Sequence, residues 1–141
     1  MAKLILVRGL PGSGKSTFAR ELSGAGYVHL ETDMYFIENG HYRFNAAFLP
    51  KAHKWCQEQA ETYIYQMANV VVSNTFTQLW EMEPYFKLGA ERVTIVECTG
   101  HYGNVHGVPA DKVAQMRARW EQVTPCWLEQ MRAAESHAKG D

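Results

Sequence analysis

The chain has no apolar run long enough to cross a bilayer: hydrophobic residues make up 46% of it, but polar and charged positions interrupt them throughout. No membrane is therefore expected among its partners. Cysteine is scarce and odd in number. Cys56, Cys98 and Cys126 show no framework spacing, which argues against a disulfide-stapled fold and for reduced thiols in a cytoplasm, the host's own if the chain is viral. A signal-peptide layout is missing as well, because Lys3 leads directly into a short apolar run and a glycine-rich turn. Nor is there a surplus of charge, with 14 Lys and Arg against 15 Asp and Glu and a net charge of −1. Proteins that grip long nucleic acid carry a basic excess, so extended non-specific binding is disfavoured, while contact with one or two nucleotides remains open. Repeats, low-complexity tracts and linkers are absent. The 141 residues thus read as one domain over 1–132, with a frayed tail over 133–141.

What is present begins at Gly9. Gly9, Leu10, Pro11, Gly12, Ser13, Gly14, Lys15, Ser16 and Thr17 complete the pattern G-x-x-x-x-G-K-[ST]-T. Ahead of them Lys3–Val7 has the branched apolar content of a buried parallel strand; behind them Phe18–Leu22 continues as a helix that Gly24 and Gly26 stop. Strand, glycine turn and helix start form an anion trap of backbone N–H groups at a positive helix end. In such a loop Lys15 adds charge at the β- and γ-phosphates, and the Ser16 hydroxyl is placed for Mg2+. A nucleoside triphosphate is the expected ligand. The basic first thirty residues, including Arg8, suit a phosphate site. Cys98, His101 and His106 lack a fourth ligand, so no metal beyond Mg2+ is expected.

Downstream, strands are expected at Tyr27–Leu30, Asn69–Ser73 and Arg92–Cys98. Between them, residues 34–45 read as a helical turn and a loop with an Asn-Gly turn. Residues 46–68 read as one long amphipathic helix through Phe48, Ala52, Trp55, Cys56, Ala60, Tyr63, Ile64 and Met67, and 79–88 as a short helix near Pro84. A last helix from Pro109 carries a core stripe of Val113, Met116, Trp120, Val123 and Trp127, with Pro125 kinking or ending it. Strands alternating with helices predict an α/β fold, a parallel sheet with helices on both faces and ligands beyond the strands' carboxyl ends.

Asp33 follows the second strand, where this topology brings it to the crevice that holds Lys15. A carboxylate there can take the proton of an attacking hydroxyl, or simply cap the next turn. Residues 5–17, 29–36, Tyr42-Arg-Phe-Asn45, Ala52-His-Lys-Trp55, Val72-Ser-Asn-Thr75 and His106-Gly-Val-Pro109, taken in order, resemble the small P-loop kinases related to the phage 5′-hydroxyl polynucleotide kinase. They are closer still to the AAA-labelled ATPase domain of a ubiquitin-ligase-binding protein of animals. The resemblance implies a three-layer P-loop kinase fold with four or five strands in the order 2-3-1-4. It also implies ATP, Mg2+ and transfer of the γ-phosphoryl group to a hydroxyl, such as a nucleic-acid end or a modified base. Lys15 and Asp33 fall on the catalytic positions.

There are departures. Phe36 stands where the polynucleotide kinases carry an arginine, Ser73-Asn74-Thr75-Phe76 has no carboxylate, and Gly103-Asn104 replaces an Arg-Asn pair in the lid. An arginine aimed at the transferring group is worth ~10³–10⁵ in rate, so Arg43, Arg117 and Arg119 become candidates for that charge, with Asn104 in the lid. The aromatics Tyr35, Phe36, Tyr42 and Phe44 either stack on an acceptor or fill the core; packing is the favoured reading for Phe36 and Phe44. Three functions follow: a hydroxyl kinase of polynucleotide-kinase type, a nucleotide-binding regulatory module without efficient chemistry, and a small-molecule kinase.

Overall fold

A computed structural model describes residues 2–102 and 107–138. Its centre is a parallel sheet of four strands, β1 (Lys3–Arg8), β2 (Val28–Leu30), β5 (Val70–Asn74) and β6 (Arg92–Glu97), in the spatial order β2-β5-β1-β6. This is the expected order. β1 lies in the middle, pairing Leu4 with Val70 and Val93, and Leu6 with Val72 and Ile95.

Period-two alternation sorts the β1 and β5 side chains onto two faces. Leu4, Leu6, Val70 and Val72 join the larger core with Cys56, Ala60, Ile64, Phe86, Trp127 and Met131; Val7 and Val71 pack with Ala19, Phe18 and Leu22. The first face is covered by α2 (Leu49–Tyr65) and α4 (Pro125–Ala138), the second by α1 (Lys15–Gly24). Burial on both sides explains why these strands read as unbroken apolar runs.

Several elements differ from the sequence pattern. The long helix spans only Leu49–Tyr65, because Pro50 sits in its first turn and Met67 takes φ 65°, which ends it. Phe48 and Met67 accordingly stay exposed. Residues 34–45 contain a hairpin of β3 (Ile37–Glu38) and β4 (His41–Tyr42), turning through Asn39 and Gly40, both at positive φ. The 79–88 segment is two 3₁₀ turns, Leu79–Glu81 and Glu83–Lys87, the second with Pro84 as its second residue.

The last helix is two: α3 (Ala110–Ala118) and α4, with Pro125 beginning the second. The stripe from Val113 to Trp127 therefore does not lie on one helix, and α3 buries none of its residues. Helix continues past Ala133, where fraying is the sequence expectation, to Ala138. Glu135 is buried there, and Arg132 bonds both Glu135 and the Val93 carbonyl.

Candidate active site

The turn after β1 closes with Ser13 N–H donating to Leu10 O, and Gly14 at φ 98° opens α1 in the left-handed region that favours glycine. Gly14, at the N-cap of α1, has no side chain with which to cap it, which leaves the leading N–H groups without an acceptor from the capping residue. The segment after β6 is sewn to the loop: Gly100 N–H donates to Ser13 O (3.1 Å) and Tyr102 N–H to Gly12 O (2.8 Å). Gly9 is required by close approach. A Cβ there would press on Ser13 Oγ and come within 2.8 Å of Cys98 O.

The loop's own polar groups fit a polyphosphate. Among the described residues Ser13 Oγ is buried without a partner, and Lys15 Nζ, turned back on the loop, donates to Leu10 O at 3.2 Å. Burial lowers the Lys15 pKa, opposed by the fields of Glu31, Cys98 and Asp33. A cation that is poorly solvated in this way is primed for an incoming anion.

Asp33 lies in a 3₁₀ turn, Thr32–Phe36, directly after β2, and its field reaches Lys15. Two neighbours fix that turn. Asn74, at the end of β5, accepts from Thr32 N–H through Oδ1 (2.9 Å), and His53 Nδ1 of α2 lies 3.3 Å from Thr32 Oγ1. Asn74 and His53 were visible in the sequence only as parts of motif strings; their anchoring role needs contacts 42 and 21 residues apart. Asp33 is itself exposed, and its Oδ1 accepts from the Tyr42 hydroxyl at 3.3 Å. Partial burial and the Asp33 charge raise the Tyr42 pKa, which keeps that donor protonated.

The candidate arginines separate. Arg117, on α3, lines a concavity of about 460 Å³ over the loop with Pro11, Gly12, Gly100, His101 and Val113. Arg119 is turned away, its Nε donating to Thr77 Oγ1 at 3.2 Å. Arg43 lines a different groove beyond Asp33. Asn104 and His106 lie outside the described residues.

Arg8 does not serve the phosphate site. It is fully buried, donating to Phe76 O (2.7 Å) and Glu121 O (2.8 Å), and its guanidinium lies 3.8 Å from the centre of the Trp120 ring. Phe36 is buried, as favoured from sequence, whereas Phe44 is not: it is half-exposed beside Tyr42.

The family described as an AAA domain matches residues 4–101. The chain belongs to that family. NEDD4-binding protein 2 of Homo sapiens is 36% identical to this chain over 134 residues, spanning 84% of the chain but only 8% of that protein. An uncharacterized protein of Pasteurella multocida is 28% identical, covering 82% of this chain and 75% of its own. Among solved structures, a gluconokinase from Sinorhizobium meliloti superposes with a TM-score of 0.62 at 17% identity, over 96% of this chain and 91% of that one. A chain of the Pnkp1/Rnl/Hen1 complex gives 0.58 at 20% identity, over 88% of this chain and 41% of that one. The domain thus has a P-loop kinase-like fold, shared with that gluconokinase and with the chain of that complex. No helix among the described residues is long and apolar enough to cross a membrane.

Proposed function

We propose that this chain is an ATP-dependent phosphotransferase that moves the γ-phosphoryl group to a hydroxyl of a polynucleotide or nucleotide-like acceptor. The observation that supports the proposal is a partly buried Lys15 ammonium after β1 that feels the field of the exposed Asp33 carboxylate after β2, both at the carboxyl end of the sheet. The loop N–H groups and Lys15 hold the polyphosphate and neutralise charge that builds on the leaving oxygen. Asp33 accepts the proton of the acceptor hydroxyl as its oxygen bonds to the γ-phosphorus and the bond to the bridging oxygen breaks, releasing ADP. Ser16 would hold Mg2+, which supplies further charge neutralisation when bound. Arg117 is the arginine assigned to the transferring group, since Arg119 is committed to Thr77 and Arg43 lies beyond Asp33.

A second reading is a nucleotide-binding module without turnover. It draws on Asn74, which occupies a position where relatives carry a carboxylate and is engaged in holding Thr32.

Transfer of label from γ-labelled ATP to 5′-hydroxyl oligonucleotides, nucleosides and sugar acids tests both. The kinase reading expects a labelled acceptor, a loss of about 10²-fold or more in kcat for Asp33→Asn with nucleotide binding retained, and a comparable loss for Arg117→Ala but not Arg119→Ala. Transfer that survives Asp33→Asn removes the carboxylate from the mechanism. Binding without transfer to any acceptor leaves the second reading.

A further inference from the structure

Beyond Asp33 the surface changes character. Tyr35, Ile37, Tyr42, Phe44 and Phe48 are all exposed within one short segment, with Tyr42 at 57% and Phe44 at 51%. Tyr35, Phe44 and Phe48 line a groove of about 490 Å³ with Phe36, Glu38 and Arg43, and Tyr42 stands beside it against Phe44. Exposed aromatics at this density on a hairpin and its flanks are unfavourable in water and mark a contact surface.

Three details say what the surface contacts. The Tyr42 and Phe44 rings are nearly parallel, 17° apart in plane with centroids 6.5 Å apart, so they present flat faces. The Tyr42 hydroxyl donates to Asp33 Oδ1, which ties this ring pair to the proposed base. The Arg43 side chain has no ion-pair partner among the described residues and lies in the same groove. Flat rings, a free guanidinium and a neighbouring carboxylate together match a planar base, a phosphodiester and a terminal hydroxyl. Glu38 in the lining disfavours a simple anion, which leaves the ring faces to provide selectivity.

We infer that the β3–β4 hairpin is the acceptor platform: Tyr42 and Phe44 stack the terminal base of an unpaired nucleic-acid strand, and Arg43 takes the adjoining phosphate. The inference rests on the kinase reading for the role of Asp33, but binding can be measured without turnover.

The test uses the full chain and a 3′-fluorescein hexathymidylate with a free 5′-hydroxyl, compared with the same probe lacking its 5′-terminal base. ADP affinity is measured in parallel. Phe44→Ala and Phe44→Leu should each weaken the intact probe about tenfold or more, the abasic probe should bind the unaltered chain equally weakly, and ADP affinity should not move. Arg43→Gln should weaken both probes together and flatten their salt dependence. Equal affinity for intact and abasic probes, or full affinity in Phe44→Leu, overturns the inference and leaves the rings as a contact for a protein. Transfer to a nucleoside with no base-dependent binding of the oligonucleotide overturns it while the kinase reading stands. Base-dependent binding through Phe44 with no transfer to any acceptor upholds it while the kinase reading falls.

Discussion

Replacing Arg8 by Met should cost this domain a large share of its stability while touching no ligand. The guanidinium ties three segments to the end of β1. It donates through Nε (3.1 Å) and Nη2 (2.7 Å) to Phe76 O, through Nη2 to Thr77 O (3.4 Å) and Glu121 O (2.8 Å), and faces Glu97 Oε2 at 4.0 Å. Methionine fills similar volume but leaves the two best acceptors without a donor, at ~1–3 kcal/mol each, and removes a charge-assisted pair. Against this, the buried cation no longer has to be desolvated, a burden reflected in its pKa, which burial lowers and Glu97, Glu81 and Glu121 partly restore. The balance is a net loss of about 3 kcal/mol, typical of breaking a buried pair from one side. With an unfolding entropy of ~2.1 cal/mol/K per residue over 141 residues, that lowers Tm by about 10 °C. Thermal unfolding followed by circular dichroism measures it. Arg8→Lys should recover less than half, because an ammonium cannot fork to Phe76 and Glu121 or stack flat on Trp120. A Tm within 2 °C of the parent for Arg8→Met, or full recovery by lysine, would refute the reasoning.

Lys15→Met should abolish nucleotide binding by calorimetry yet leave Tm unchanged or higher. Burial disfavours the charged lysine in the folded state, and the fold lacks that penalty once the charge is gone. For the parent chain, triphosphate affinity should be greatest while Lys15 is protonated. It should fall as pH rises through the lowered lysine pKa, beginning below the ordinary value of 10.5; a flat profile up to that pH counts against the role of the charge. Cys56 and Tyr85 are both buried in the larger core, and burial raises both pKa values. An acid whose pKa is raised on folding keeps its full stability contribution below its unfolded pKa and loses it above. Urea midpoints should therefore hold up to about pH 9 and decline beyond it, with a shallower decline in Tyr85→Phe.

The phosphate loop could be read directly from the chain because its physics is local. Glycines supply positive φ at Gly12 and Gly14, a helix begins at Lys15, and a β-rich run precedes them, all within fifteen residues. The strand order was also legible, through the resemblance that the ordered motif strings carry. Asp33 could be placed near Lys15 because both follow strand ends in a parallel sheet, where topology alone brings carboxyl ends together.

Other features depend on which surfaces meet. Arg8 looked like one more cation beside a phosphate loop; only the approach of Phe76, Thr77 and Glu121, separated from it by 68 to 113 residues, makes it a buried clamp. The break between α3 and α4 lies under the same clamp, so a continuous apolar stripe could not reveal it. Phe36 and Phe44 have the same side chain eight positions apart, yet one is in the core and the other is half-exposed on the hairpin. Sequence patterns record what each residue prefers with its immediate neighbours. Whether an arginine grips a ligand or a carbonyl, and whether a ring meets the core or solvent, is decided by distant chain brought alongside, and that is a property of the tertiary fold.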